Sequence, residues 1–167
     1  EVVLFGGMTT SVGSNSETWI WNGSTWALRS TTGPTARDHV AMAYDAARAE
    51  VVLFGGGSVE VGIRFADTWV WNGTNWTQRN VVGPSARTGH AMVYDAARAE
   101  IVLFGGLDSI YQGDTWVWNG SAWTQRNVPG PRPRQRHTMA YDAARGEVVL
   151  FGGYDYTFLT SVLLNDT

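Results

Sequence analysis

The chain has 167 residues, 44% apolar and 16% charged, with a formal net charge of -3. That length and apolar content suffice for a buried core, and the weakly acidic balance excludes a broad electrostatic pull toward nucleic acid. There is no Cys, which excludes disulfides, thiolate metal sites and Cys nucleophiles, and no apolar run reaches the roughly 18–20 residues of a membrane helix.

In chain order, the first element is the apolar run "EVVLFGG" at 1–7, a strand ending in a Gly pair. A variable stretch leads to "ETWIW" at 17–21, then Asn22-Gly23 and a second Trp-bearing strand from Trp26. After "GP" at 33 and Arg37 comes "AMAYD" at 41–45, a tight turn "AARAE", and the apolar strand again. Naming these strands a ("AMAYD"), b ("VVLF"), c ("TWVW") and d ("WTQR"), the pattern recurs. The second Gly of "FGG" falls at Gly7, Gly56, Gly106 and Gly153, spacings of 49, 50 and 47. The segments are rich in β-branched and aromatic residues and are separated by Gly, Pro, Asn and Asp, so each unit holds four short strands. Strand b is apolar on consecutive residues, which predicts cover on both faces by neighbouring sheets. In strand c, Trp69 and Trp71 share one face and Val70 takes the other. Asn22-Gly23, Asn72-Gly73 and Asn119-Gly120 supply residues that tolerate positive φ in the c-to-d turn. The Gly pair after strand b predicts a close backbone approach that a side chain would block.

An apolar strand ending in Gly-Gly, a variable gap, an aromatic strand, a spaced Trp and an Arg-x-x-His-like start to the next unit resembles the kelch repeat, over nearly the whole chain. The resemblance implies an all-β fold, a β-propeller of kelch-type four-stranded antiparallel blades. Strands count as b, c, d, then two full sets, then a, b and the threshold of c. This gives one propeller segment, 1–167, with blade parts 1–29, 37–79, 87–126 and 134–167, an incomplete ring in one chain, since propellers close with about four to eight blades. The ends predict a piece of a longer protein, the remaining blades coming from the parent chain; the alternative is a second copy. Exposed strand edges predict association of the isolated segment.

Function is sought where the copies differ. The d-to-a connections keep their length, whereas the b-to-c connections "MTTSVGSNS", "GSVEVGIRFA", "LDSIYQG" and "YDYTFLTSVLLN" do not. Alternating strand direction puts both sets on one rim, and variable loops on a rigid scaffold are the usual place for recognition. Arg64, Asp108, Tyr111, Tyr154, Asp155 and Tyr156 are the candidates there, against drift in exposed loops. Arg37, Arg87 and Arg134 begin strand a, which in kelch proteins lines the central channel. They could hold carboxylate or phosphate at its mouth, or tie neighbouring blades through carbonyls and acids. The third copy, "PRPRQRH", adds Arg132 and Arg136. His90 and His137 match between copies, but His39 stands where Gly89 does, so a symmetric three-His site is not expected. The acids before "TW", namely Glu17, Asp67, Asp114 and Asp166, are read as caps on loop amides, and the Trp residues as core. The N-x-S/T patterns are read as turn chemistry, since the turn already demands Asn-Gly.

The reading is a noncatalytic scaffold binding a protein or glycan through this rim, extracellular or at a cell surface, with no cofactor, metal, nucleic-acid or membrane-spanning role. The alternative is a structural or self-assembling repeat unit. Further behind stands a part of a kelch-type sugar enzyme: the copper oxidases that resemble this fold need a Cys absent here, and a sialic-acid-mutarotase-like site needs unrepeated acids and Arg.

Overall fold

The computed structural model describes residues 1–9, 13–58, 62–157 and 160–163, with side chains described up to Asp155. Every regular element among them is a β-strand, and no helix is long and apolar enough to cross a membrane. β1 (Val2–Phe5), a small hairpin of β2 (Met8–Thr9) and β3 (Gly13–Ser14), β4 (Thr18–Trp21) and β5 (Trp26–Ser30) make the first unit, with sheet order β1-β4-β5. The second contains β6 (Ala41–Asp45), β7 (Glu50–Phe54), the hairpin β8 (Gly57–Ser58) and β9 (Ile63–Arg64), β10 (Thr68–Trp71) and β11 (Trp76–Arg79). Its sheet is four-stranded, β11-β10-β7-β6. The third repeats it with β12 (Ala91–Asp95), β13 (Glu100–Phe104), β14 (Thr115–Trp118) and β15 (Trp123–Arg126). β16 (Thr138–Asp142) pairs with β17 (Glu147–Phe151), and β18 (Tyr154–Thr157) with β19 (Thr160–Leu163). Thus the "YDYT" stretch, read from sequence as a variable connection, forms a hairpin on itself. Asp166 lies outside the described residues.

All pairs are antiparallel and the register repeats: Ala41 faces Phe54, Ala91 faces Phe104 and Thr138 faces Phe151. The expectation for strand b holds in the middle of the molecule. Val52, Leu53 and Phe54 have no exposed surface, and Val52 and Phe54 pack in one cluster with residues of the third sheet. Burying a side chain such as Phe54 is worth about 1.5–3 kcal/mol. The core runs between the second and third sheets, from Val52, Phe54 and Val70 to Ile101, Leu103, Trp118 and Trp123. Phe5 meets Trp76 edge to face, and Phe54 meets Trp123 in the same way, both with centroids 5.4 Å apart. Trp76 Nε1 donates to Thr18 Oγ1 and Trp123 Nε1 to Thr68 Oγ1, each 2.9 Å, so one contact set joins successive sheets twice.

The turns explain much of the repetition. In "YDAARAE" the buried Asp45 accepts the amides of Ala47 and Arg48 and pairs with the Arg48 guanidinium at 2.8 Å, while Tyr94 of the next sheet accepts from Ala47 N–H. Ala49 and Ala99 take left-handed φ of 55° and 52° where the last copy has Gly146. The c-to-d turn differs from expectation: of Asn72 and Gly73 only Gly73 has positive φ, at 94°. Asn72 acts through its side chain, Oδ1 accepting the amides of Thr74 and Asn75 at 2.9 Å in a four-residue loop. At the other end the Gly pair does meet backbone: a Cβ on Gly55 would lie 2.8 Å from Arg87 O, and one on Gly56 2.8 Å from Asp38 O.

Candidate ligand-binding site

The connections from strand d to a and from b to c come together at the Gly-Gly end of the sheets, joined by the repeated arginines. The main chain of each ties to the preceding unit: Gly7 N–H donates to Arg37 O, Gly56 to Arg87 O and Gly106 to Arg134 O, at 2.8–2.9 Å. The side chain ties within its own unit. Arg37 grips Asp67 with both Nη atoms, at 2.5 and 2.9 Å, donates to Gly55 O, and stacks 3.9 Å from the Phe65 ring centroid. Arg87 holds Asp114 at 2.6 and 2.9 Å and Gly105 O at 3.0 Å. Arg134 donates to Arg132 O and Gly152 O. All three are buried. Two parallel, charge-assisted bonds in a water-poor setting make a strong, directional tie. Burial pushes the Asp67 and Asp114 carboxyls up, but bonds from arginine and from the Trp69 or Trp116 indole outweigh it and hold both below the ordinary carboxylate value. These acids therefore accept from arginine and indole side chains, not chiefly from loop amides as the sequence predicted; Glu17 likewise accepts from Trp19 Nε1 at 2.8 Å.

Beyond each tie the copies diverge, reading Asp38-His39, Thr88-Gly89 and Gln135-Arg136. The first residue of each pair extends the a–b ladder past the Gly pair, bridging to Gly57, Leu107 and Tyr154. The second turns left-handed, with φ of 49°, 65° and 56°. Gly89 N–H donates to His39 O at 3.1 Å and Arg136 N–H to Gly89 O at 2.7 Å, a short backbone ladder across three units. It carries a cavity of about 250 Å³ whose lining includes Asp38, His39, Arg64, Gln135 and Arg136.

Inside, Ser14 Oγ donates to Asp38 Oδ2 at 2.8 Å, and the other Asp38 oxygen lies 2.5 Å from His39 Nδ1. That fixes the tautomer: Nδ1–H faces the carboxylate, and Nε2 accepts from Arg136 Nη2 at 3.3 Å. Gln135 Nε2 donates to Tyr154 OH at 3.0 Å, and the Tyr154 ring meets Tyr111 edge-on. Charge is unevenly satisfied here. Arg37, Arg48, Arg79, Arg87, Arg98, Arg126 and Arg145 each pair with an acid. Among the described residues Arg29, Arg64, Arg132 and Arg136 have no carboxylate partner, and two of these, Arg64 and Arg136, line this one cavity.

Of the residues expected from sequence, the structure gathers Arg64, Arg136, Tyr111 and Tyr154 at or beside the cavity. Asp108 holds its own loop, accepting from Ser85, Ser109 and Ile110 N–H. Burial pushes its carboxyl up, but these bonds win and bring it down to about 2. Asp155 is buried, Arg132 is exposed, and the Tyr156 side chain lies outside the described residues. Sequence reasoning did not include Asp38, His39 and Gln135 in the site. The signal was the set "RDH", "RTG", "RQR", in which His39 and Arg136 share the place of a glycine. His90 and His137 are core residues: His90 Nε2 lies 3.2 Å from Phe54 O, and both rings stack edge-on against a phenylalanine of the preceding sheet.

No family model matches the chain, and no curated protein matches it.

Proposed function

We propose that the chain is part of a kelch-type β-propeller, a noncatalytic scaffold that binds a protein or glycan through the connections gathered at the Gly-Gly end. One observation carries this reading: residues that differ between the copies, Asp38, His39, Arg64, Gln135 and Arg136, line one cavity, and the two arginines have no carboxylate partner among the described residues. Elsewhere seven arginines pair with acids, Arg37 and Arg87 with the acid of their own unit among them, while Arg29 and Arg132, again among the described residues, do not. A site made only of scaffold would have no reason to leave charge unpaired where the sequence varies most. Glycan and peptide arrays probed with the wild-type chain and with Arg64→Ala/Arg136→Ala test it. Binding by the wild type that the double variant loses is expected; an array on which the wild type finds nothing overturns the reading.

The second reading, a self-assembling repeat unit, draws on a different observation: apolar side chains at both outer sheets, including Leu4 and Phe151, are exposed.

A further inference from the structure

We propose that the cavity between His39 and Arg136 binds one hydroxylated monocarboxylate of single-ring size, the chemistry of a uronic acid, free or at the end of a polysaccharide. The inference rests on the binding-face reading above and names its ligand class.

Charge sets the class first. Among the described lining residues, Arg64 and Arg136 bring two positive charges and the buried Asp38 carboxylate one negative, which suits one added negative charge. A doubly charged phosphate would face Asp38 with a charge left over. The Arg136 fork now donates to a ring nitrogen at 3.3 Å, a long bond to a neutral acceptor. A carboxylate is the better acceptor for a planar guanidinium, which can hold both of its oxygens. Once Arg136 turns to that carboxylate, His39 Nε2 is left as an acceptor, its tautomer kept by Asp38, and faces a ligand hydroxyl. Ser58 and Thr88 on the lining add hydroxyl partners, and Ile63 and Leu107 add apolar surface for C–H faces of a ring.

Size follows. About 250 Å³ is smaller than the roughly 300 Å³ at which pockets for drug-sized ligands begin. A single sugar ring fits that scale. The backbone adds an independent mark. The middle copy places Gly89 at the left-handed position with φ 65°, yet the flanking copies place His39 and Arg136 there at 49° and 56°. Side chains with a Cβ are disfavoured in that conformation, and residues held in it cluster where function requires them. At Gly89 itself a Cβ would lie 3.0 Å from Gln135 Oε1, so a side chain there would crowd Gln135 on the lining.

The test is ligand-observed saturation-transfer NMR, which tolerates association of the protein, with sodium galacturonate, galactose and a short oligogalacturonide as probes; inorganic phosphate, which has no carbon-bound proton, is read by its competition against galacturonate. Galacturonate is expected to bind at least tenfold more tightly than galactose or phosphate. Tighter binding of the oligogalacturonide would assign the polysaccharide end as the source, and equal or weaker binding the free acid. Arg136→Gly and His39→Gly should each weaken galacturonate at least tenfold while leaving the unfolding midpoint unchanged or higher, because glycine suits the left-handed backbone. Arg29→Ala, an unpaired arginine away from the cavity, should change nothing. Galactose binding as well as galacturonate, phosphate binding as well, or no galacturonate binding each overturns the inference. If galacturonate fails while the wild type retains an array ligand that Arg64→Ala/Arg136→Ala loses, only the ligand class falls and the binding face stands.

Discussion

His90 is a base kept neutral by its surroundings. Burial, then the charge of Arg87, push its pKa from an ordinary 6.5 down to about 3, and burial with Arg134 brings His137 to about 4. In the unfolded chain both titrate near 6.5. Below that pH the unfolded state takes up protons that the folded state refuses, so stability is full above about pH 6.5 and falls as the pH drops. Each histidine contributes a slope approaching about 1.4 kcal/mol per pH unit between pH 6 and 4. Asp67 and Asp114, held below their ordinary 3.8, keep their stabilisation through this window and lose it only at lower pH. Urea denaturation of the wild type and of His90→Phe at pH 7, 6, 5 and 4.5 checks this. The wild type should lose stability steadily and the variant about half as steeply; a flat wild-type profile would refute the assignment. Phenylalanine is the probe because the ring already packs edge-on against Phe54, 5.6 Å between centroids.

At the scale of the element, the tie between connections decides cooperativity. Arg87 spans three partners: its main chain joins the preceding unit, its guanidinium the carbonyl of Gly105 and the carboxylate of Asp114. Asp114→Ala leaves a buried guanidinium without its counter-charge, which typically costs about 3–5 kcal/mol. Asp114→Asn keeps an acceptor for Trp116 Nε1 and should cost clearly less. Chemical denaturation of the two variants checks the order, and equal stability of Asp114→Ala and wild type would mean the tie is ornamental. The strands and their antiparallel order were legible in the sequence, because a repeated unit shows its apolar run, Gly pair and Trp alternation three times over. The partners of side chains were less so. Asp67 reads as a loop cap until the fold brings Arg37, 30 residues away, against it. Asn72 reads as a positive-φ residue because Asn-Gly serves both two-residue and four-residue turns. His39 was visible as a misfit in the alignment of copies, but its role depends on the left-handed conformation that only the equivalent Gly89 announces. The candidate site was therefore legible by location, through variable connections, and illegible by membership.

At the scale of the molecule, the contact that joins successive sheets also appears unpaired at both outer faces. Inside, the phenylalanine of one sheet meets the first Trp of the next sheet's last strand, as in Phe5–Trp76 and Phe54–Trp123. Outside, the corresponding Phe151 is 52% exposed and the corresponding Trp26 46%. Val149 beside the one and Leu28 beside the other are exposed as well. The two faces are different halves of one contact, so copies that associate through them do so head to tail, which closes into a ring if the rotation permits and otherwise grows. Light scattering coupled to size exclusion is expected to give a molar mass that rises with concentration above the 18.3 kDa of one chain. Phe151→Asp and Trp26→Asp should each bring it back to a single chain. A mixture of the two variants retains one intact pairing, the wild-type Phe151 face of one against the wild-type Trp26 face of the other, and should stop at two chains. A wild type that stays at one chain mass at high concentration would mean these faces do not recognise each other. A mixture that stays at one mass while the wild type associates would mean that the association uses another surface.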